Sequence, residues 1–149
     1  NIYFYRTRGV SGFHGIYIES RKPSKGLWIE SCHVNKTLSN IYLENMHDFV
    51  LIDNLPYGPA DENNLNDIEL INCSNGLISG NVYQAPVIEN YKPLPESNRN
   101  AVVIRGENSG NIIIEKNIYN AKGDALVIDD EVEGIVVRDN LYPNPQVWR

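Results

Sequence analysis

Short apolar runs recur along the whole chain and fall into two interleaved series. One reads Ile2-Tyr3-Phe4, Leu27-Trp28-Ile29, Val50-Leu51-Ile52, Leu77-Ile78, Val102-Val103-Ile104 and Leu126-Val127-Ile128. The other reads Ile16-Tyr17-Ile18, Ile41-Tyr42-Leu43, Ile68-Glu69-Leu70, Val87-Ile88, Ile112-Ile113-Ile114 and Ile135-Val136-Val137. Within a series the spacing is about 20 to 28 residues, a period that belongs to solenoids. No window sustains a 3.6-residue period, so helices are not expected. A sandwich would supply short strands but would not keep two registers in step over six repeats. Leucine-rich repeats have a similar period but require Leu at fixed places and a helical or 3₁₀ segment, and neither is visible.

The run boundaries agree. Gly15, Gly26, Asn40, Gly76, Asn111 and Gly134 precede runs, and Asn45, Asn54, Asn72, Asn90, Asn117 and Asn140 follow them. Stacked coils turn at the same place on every rung, and Gly and Asn enter the left-handed region there at least cost. Asn side chains one rung apart, about 4.8 Å, can also hydrogen-bond in a ladder. The predicted fold is therefore all-β: a right-handed, single-stranded parallel β-helix of about six coils. It fills residues 1–149 without an internal domain boundary. Longer loops at 55–66 and 84–100 depart from the repeat. Loops on a rigid solenoid often carry binding groups.

On these residues, above all Gly15-Ile16-Tyr17-Ile18-Glu19, Asn40-Ile41-Tyr42-Leu43-Glu44-Asn45, Asn111-Ile112-Ile113-Ile114-Glu115 and Gly134-Ile135-Val136-Val137-Arg138, the chain resembles the pectate-lyase-like parallel β-helix superfamily. Within it, the style is most like bacteriophage tailspikes and related polysaccharide depolymerases. The resemblance implies an extracellular or virion-associated protein that binds polysaccharide, as a trimer, and cleaves it as a hydrolase or lyase. A non-catalytic fibre or adhesin segment, or a monomeric pectate-lyase-like enzyme, are the alternatives. Both ends look cut, so further coils or caps are expected on each side. The polygalacturonase motif set is absent, and Asp129-Asp130 alone does not recover it.

Alternation along each strand sorts inward from outward positions. Read this way, Trp28, Leu51, Ile78, Val103 and Val127 form an outward apolar column, which marks a contact surface. Glu30, Asp53, Arg105 and Asp129 follow one another at one outward register. Adjacent rungs would hold carboxyls about 5 Å apart, and retaining glycosidases need two about 5 to 5.5 Å apart. These four are the candidate catalytic residues: Glu30 with Asp53 as the acid pair, and Arg105, with Lys116 and Arg138 nearby, as the cation a lyase needs. Tyr17, Trp28, Tyr42, Tyr57 and Tyr91 are the candidate sugar-binding aromatics, with Tyr83 beside them.

The remaining features narrow the function. A net charge of -6 argues against a nucleic-acid backbone as partner. No apolar run approaches the ~18 residues of a membrane span. His14, His33 and His47 occupy unrelated positions, and the sequons at Asn35 and Asn72 read as chance matches. Cys32 and Cys73 read as free thiols near a core. No zinc, nucleotide or nucleophile-elbow motif occurs, and no cofactor is expected. Ca²⁺ is a weak candidate for the run Asp124, Asp129, Asp130, Glu131 and Glu133, which reads more simply as a solvated acidic corner.

Overall fold

The computed structural model describes residues 1–10, 14–35, 39–57, 66–83, 100–119 and 123–142. Its fourteen strands all pair in parallel and wind into a β-helix with three faces. The first face stacks the leading half of β3 (His14–Glu30), that of β5 (Ser39–Ile52), β7 (Asn66–Ile71), β10 (Asn100–Arg105) and β13 (Leu126–Ile128). The second stacks β1 (Ile2–Tyr5), the trailing halves of β3 and β5, β8 (Ser74–Ser79), β11 (Gly110–Glu115) and β14 (Glu133–Arg138). The third carries β2 (Arg8–Val10), β4 (His33–Asn35), β6 (Leu55–Tyr57), β9 (Val82–Tyr83) and β12 (Ile118–Tyr119), closed by a bridge from Ile118 to Leu141. The first face thus completes four turns between β3 and β13, so the six coils expected from the sequence are an approximate count. No helix is present among the described residues, and so none that could cross a membrane.

Alternate residues from the first two faces fill the interior: Ile41 and Leu43, Ile68 and Leu70, Leu27 and Ile29, Phe49 and Leu51, Ile112 and Ile114 are all buried. Each such side chain contributes about 1.5–3 kcal/mol on burial. Gly76 takes part by absence. A Cβ there would lie 2.1 Å from the Phe49 ring, so the large side chain of one rung occupies the space left by the next.

The corners explain the Asn and Gly content. Gly26, Asp48, Asn75, Asn111 and Gly134 lead into the second face with positive φ, and Arg6, Ser31, Asp53, Gly80, Lys116 and Asp139 leave it the same way. Asn45, Asn72 and Gly106 make the turn after the first face. A second set of asparagines does different work. Asn54, Asn81, Asn117 and Asn140 line an inner corner before the third face, the first three being fully buried. The Nδ2 of Asn54, Asn81 and Asn117 donates to the next Oδ1 at 3.0 Å, and all four donate to a carbonyl of the preceding rung at 3.0–3.1 Å. The same Oδ1 atoms accept the backbone N–H of Cys32, Asn54, Asn81 and Asn117. The expected ladder is real, but it runs inside the coil.

Two expectations of register are corrected. First, Leu27, Trp28, Ile29 and Glu30 pair with Phe49, Val50, Leu51 and Ile52, so Leu51 and Ile78 point inward and are buried, while Val50 and Leu77 point outward. Phe49 through Ile52 are all apolar, so a one-residue slip leaves the pattern unchanged while reversing every side chain. Second, the series exchange after residue 83. Val102 and Leu126 belong to the first face with Ile68, and Ile112 and Ile135 to the second with Gly76. Val87-Ile88 lies outside the described residues, and a third short strand joins the two series on each coil. Of the loop expected at 55–66, Leu55–Tyr57 is strand β6.

Tyr83, Tyr119 and Tyr142 stack at 5.0 and 5.2 Å inside the third face. The hydroxyls of Tyr83 and Tyr119 are buried with no hydrogen-bond partner. Burial pushes both phenols above their ordinary pKa. The ladder amide and these hydroxyls therefore predict opposite outcomes. Asn81→Ala orphans several buried backbone and amide groups and should cost on the order of 3 kcal/mol. Tyr83→Phe removes an unsatisfied group and should be neutral or stabilising. Urea unfolding midpoints of the two variants check both.

Candidate functional site

The outward column of the second face is Tyr3, Trp28, Val50, Leu77, Ile113 and Val136, each one rung from the next. This replaces the column expected from the sequence, of which only Trp28 survives on this face. The column is apolar on every rung, as expected, and Tyr3 (59%), Trp28 (42%) and Val136 (45%) remain open to solvent. Val103 and Val127 lie instead on the outer side of the first face, where Val103 is fully buried.

Beside the upper part of this column runs an open groove of about 740 Å³. Tyr3, Trp28, Val50 and Leu77 wall it, and the left-handed corner residues Gly26, Asp48 and Asn75 form its other side, with Asn1 at the end. Gly26 lacks a side chain where the Asn1 amide of the neighbouring rung packs against it. Asn75 Nδ2 donates to Asp48 Oδ1 at 3.2 Å, and Lys25 Nζ lies 3.8 Å from the other Asp48 oxygen.

The aromatic wall is held from behind. Glu30 Oε2 accepts from the Tyr3 hydroxyl at 2.7 Å and from the Trp28 indole N–H at 3.0 Å. Tyr3 also meets Trp28 edge to face at 6.2 Å and stacks on Tyr5 at 5.8 Å, and Arg6 sits 4.9 Å over the Tyr5 ring. Because an anion accepts its proton, the Tyr3 phenol is pushed up to about 12. Glu30, expected as a catalytic acid, is thus an anchor for two aromatic rings.

The other expected catalytic residues are not brought to it. Glu30 pairs with Ile52, and Asp53 sits one residue on, at the left-handed corner beside Ser31 and Gly80. A Cβ on Gly80 would lie 2.2 Å from Asp53 Oδ1, so this carboxylate is folded against the next rung. Arg105 belongs to the first face, where it bonds Glu69 at 3.2 Å. Asp129 follows the last strand of that face, its N–H donating to the Ile104 carbonyl and its own carbonyl accepting from the Val132 N–H. Of the cations, Arg138 bonds Glu115 at 2.7 Å and Lys116 lies 3.8 Å from the same carboxylate.

Tyr17 and Tyr42 stack at 4.6 Å on the first face, as adjacent rungs require. Their hydroxyls donate to Glu19 at 2.8 Å and Glu44 at 3.0 Å. The Glu19 bond raises the Tyr17 phenol, and burial followed by the Glu44 bond raises that of Tyr42. Glu19 and Glu44 share the register that was expected of Glu30 and Asp53. Tyr91 and the side chain of Tyr57 lie outside the described residues, and Tyr83 is interior. Among the described residues no group of three or more His, Cys, Asp or Glu is placed to hold a metal ion, the acidic run after Asp124 included. His47 Nδ1 is paired with Ser74 Oγ at 2.5 Å, and burial with the Arg8 charge lowers the His33 pKa. Cys32 and Cys73 are free and buried, and burial raises the Cys73 thiol to about 11.

Asp48, Asn75 and Tyr3, which shape the groove, were not singled out from the sequence. Asp48 and Asn75 carry the signal of a turn residue, and only the three-dimensional register shows them flanking an aromatic wall. No protein-family model, curated protein or solved structure matches the chain.

Glu30→Gln removes the anion that holds the Tyr3 proton. Ultraviolet difference titration should then show one tyrosine moving from about 12 back toward the ordinary phenol range. An unchanged titration would mean that Tyr3 is not bonded to Glu30 in solution.

Proposed function

We propose that this segment binds an extended polysaccharide along its second face. The observation that carries the reading is the groove beside Tyr3 and Trp28, in which exposed aromatic rings stand opposite a row of Asp and Asn side chains. Sugar rings present an apolar face and an equatorial rim of hydroxyls. Aromatic rings match the first, and carboxylate and amide groups match the second. The wall sits on strands, not loops, so its spacing is fixed before ligand arrives and little ordering is required on binding. A place among tailspikes and related polysaccharide-active β-helix proteins, outside the cell or on a virion, belongs to this same proposal. The activity proposed for the described residues is binding. Among them, Glu19 and Glu44 are the adjacent carboxylates of one register, and each accepts a tyrosine hydroxyl.

A second reading rests on the rest of the column. Below the groove Ile113 and Val136 continue the apolar stripe into solvent, as a side-by-side association of copies would use it. We therefore also propose a homo-oligomer, with three copies the number the resemblance favours.

Calorimetric titration against a panel of bacterial and plant polysaccharide fragments tests the first reading. Binding is expected, and Trp28→Ala should weaken it about tenfold or more, the ~1.4 kcal/mol scale of one lost aromatic contact. Retention of full affinity by the variant would move the site away from this groove. Light scattering tests the second: a trimer mass that Ile113→Lys reduces to a monomer is expected, and a wild-type monomer would overturn it.

A further inference from the structure

Resting on the reading of this groove as a glycan site, we infer that its ligand is an uncharged, hydroxyl-rich glycan and not a polyuronate. Asp48 is the single carboxylate or basic side chain among the groove's lining residues. The Tyr3 phenol, held by Glu30, stays protonated through the neutral range. Among the described residues, two neighbouring cations are already engaged. Lys25 lies against Asp48 itself, and Arg6 lies over the Tyr5 ring at the opposite corner of the face. Behind the wall sits a second negative charge, Glu30, which already accepts two hydrogen bonds. A uronate carboxylate laid in the groove would meet Asp48 and would compete with it for Lys25, and like charges at close range disfavour one another.

The same atoms suit neutral sugars. Asp48 offers acceptor lone pairs to ligand hydroxyls, and Asn75 and Asn1 offer both donors and acceptors. Asn1, Gly26, Asp48 and Asn75 recur at rung spacing, so the polar groups follow the solenoid axis in step with Tyr3, Trp28, Val50 and Leu77. The ligand therefore lies parallel to the axis, one edge along the Asp/Asn corner and one face on the aromatic wall. Its binding is carried by stacking and neutral hydrogen bonds and is insensitive to salt.

The test is calorimetric titration of the intact chain with neutral glucan, mannan and galactan oligosaccharides and, separately, with oligogalacturonate, each at low and high salt. The expected result is a neutral ligand bound at least tenfold more tightly than oligogalacturonate, with an affinity unchanged by salt. Asp48→Asn, which keeps a residue suited to the left-handed corner, should raise the affinity for oligogalacturonate severalfold. Asn75→Asp, which adds a second carboxylate to the groove, should lower the affinity for oligogalacturonate further. Tighter binding of oligogalacturonate, weakened by salt, would overturn the inference and leave the groove a glycan site. Binding of neither class would overturn the glycan reading, and the inference with it.

Discussion

The structure depends on rung-to-rung registration, and the buried asparagine ladder is what holds it. Parallel backbone bonds alone permit neighbouring coils to slide by two residues with little change in pattern. The ladder does not, because each of Asn54, Asn81 and Asn117 must present its Oδ1 to a backbone N–H of the rung before, and its Nδ2 to a carbonyl of that rung and to the Asn of the rung after. A slipped coil would bury several unpaired groups at once. With the inner corner fixed, the positive-φ residues at the outer corners fall into line, and the outward columns follow from them.

Coils locked in this way leave the outer surface free to vary. The interior repeats Ile and Leu on rung after rung, while the outward positions of the same strands change from Tyr3 and Trp28 through Val50 and Leu77 to Ile113 and Val136. The groove exists because aromatic residues cluster on the first two of those rungs and because Glu30 fixes both rings through one oxygen. That carboxylate acts through the rings it orients.

The repeat was plain in the sequence because β-branched and aliphatic residues recur in short runs with Gly and Asn between them, and the parallel β-helix follows from that alone. The register was not. In Phe49-Val50-Leu51-Ile52 every residue is apolar, so alternation cannot say which pair faces the core; Gly76, which makes room for Phe49, gives no hydrophobic signal at all. The long interruption between Tyr83 and Asn100 then hid the change of series. The candidate site suffered accordingly. Trp28 and Glu30 were recognised as outward, and they are, but Asp53 sits at a turn and Arg105 on another face. Asp48 and Asn75 resembled ordinary corner residues because they also are corner residues.

The ladder has a sense of direction as well as a position. Asn54, Asn81 and Asn117 each donate one amide proton toward the later rung, so the three side-chain bonds point the same way along the solenoid axis. Hydrogen bonds aligned in this manner polarise one another. Disturbance at one rung is therefore felt by the amides above and below it. The ladder gives the solenoid a line along which a change in one coil is passed to its neighbours.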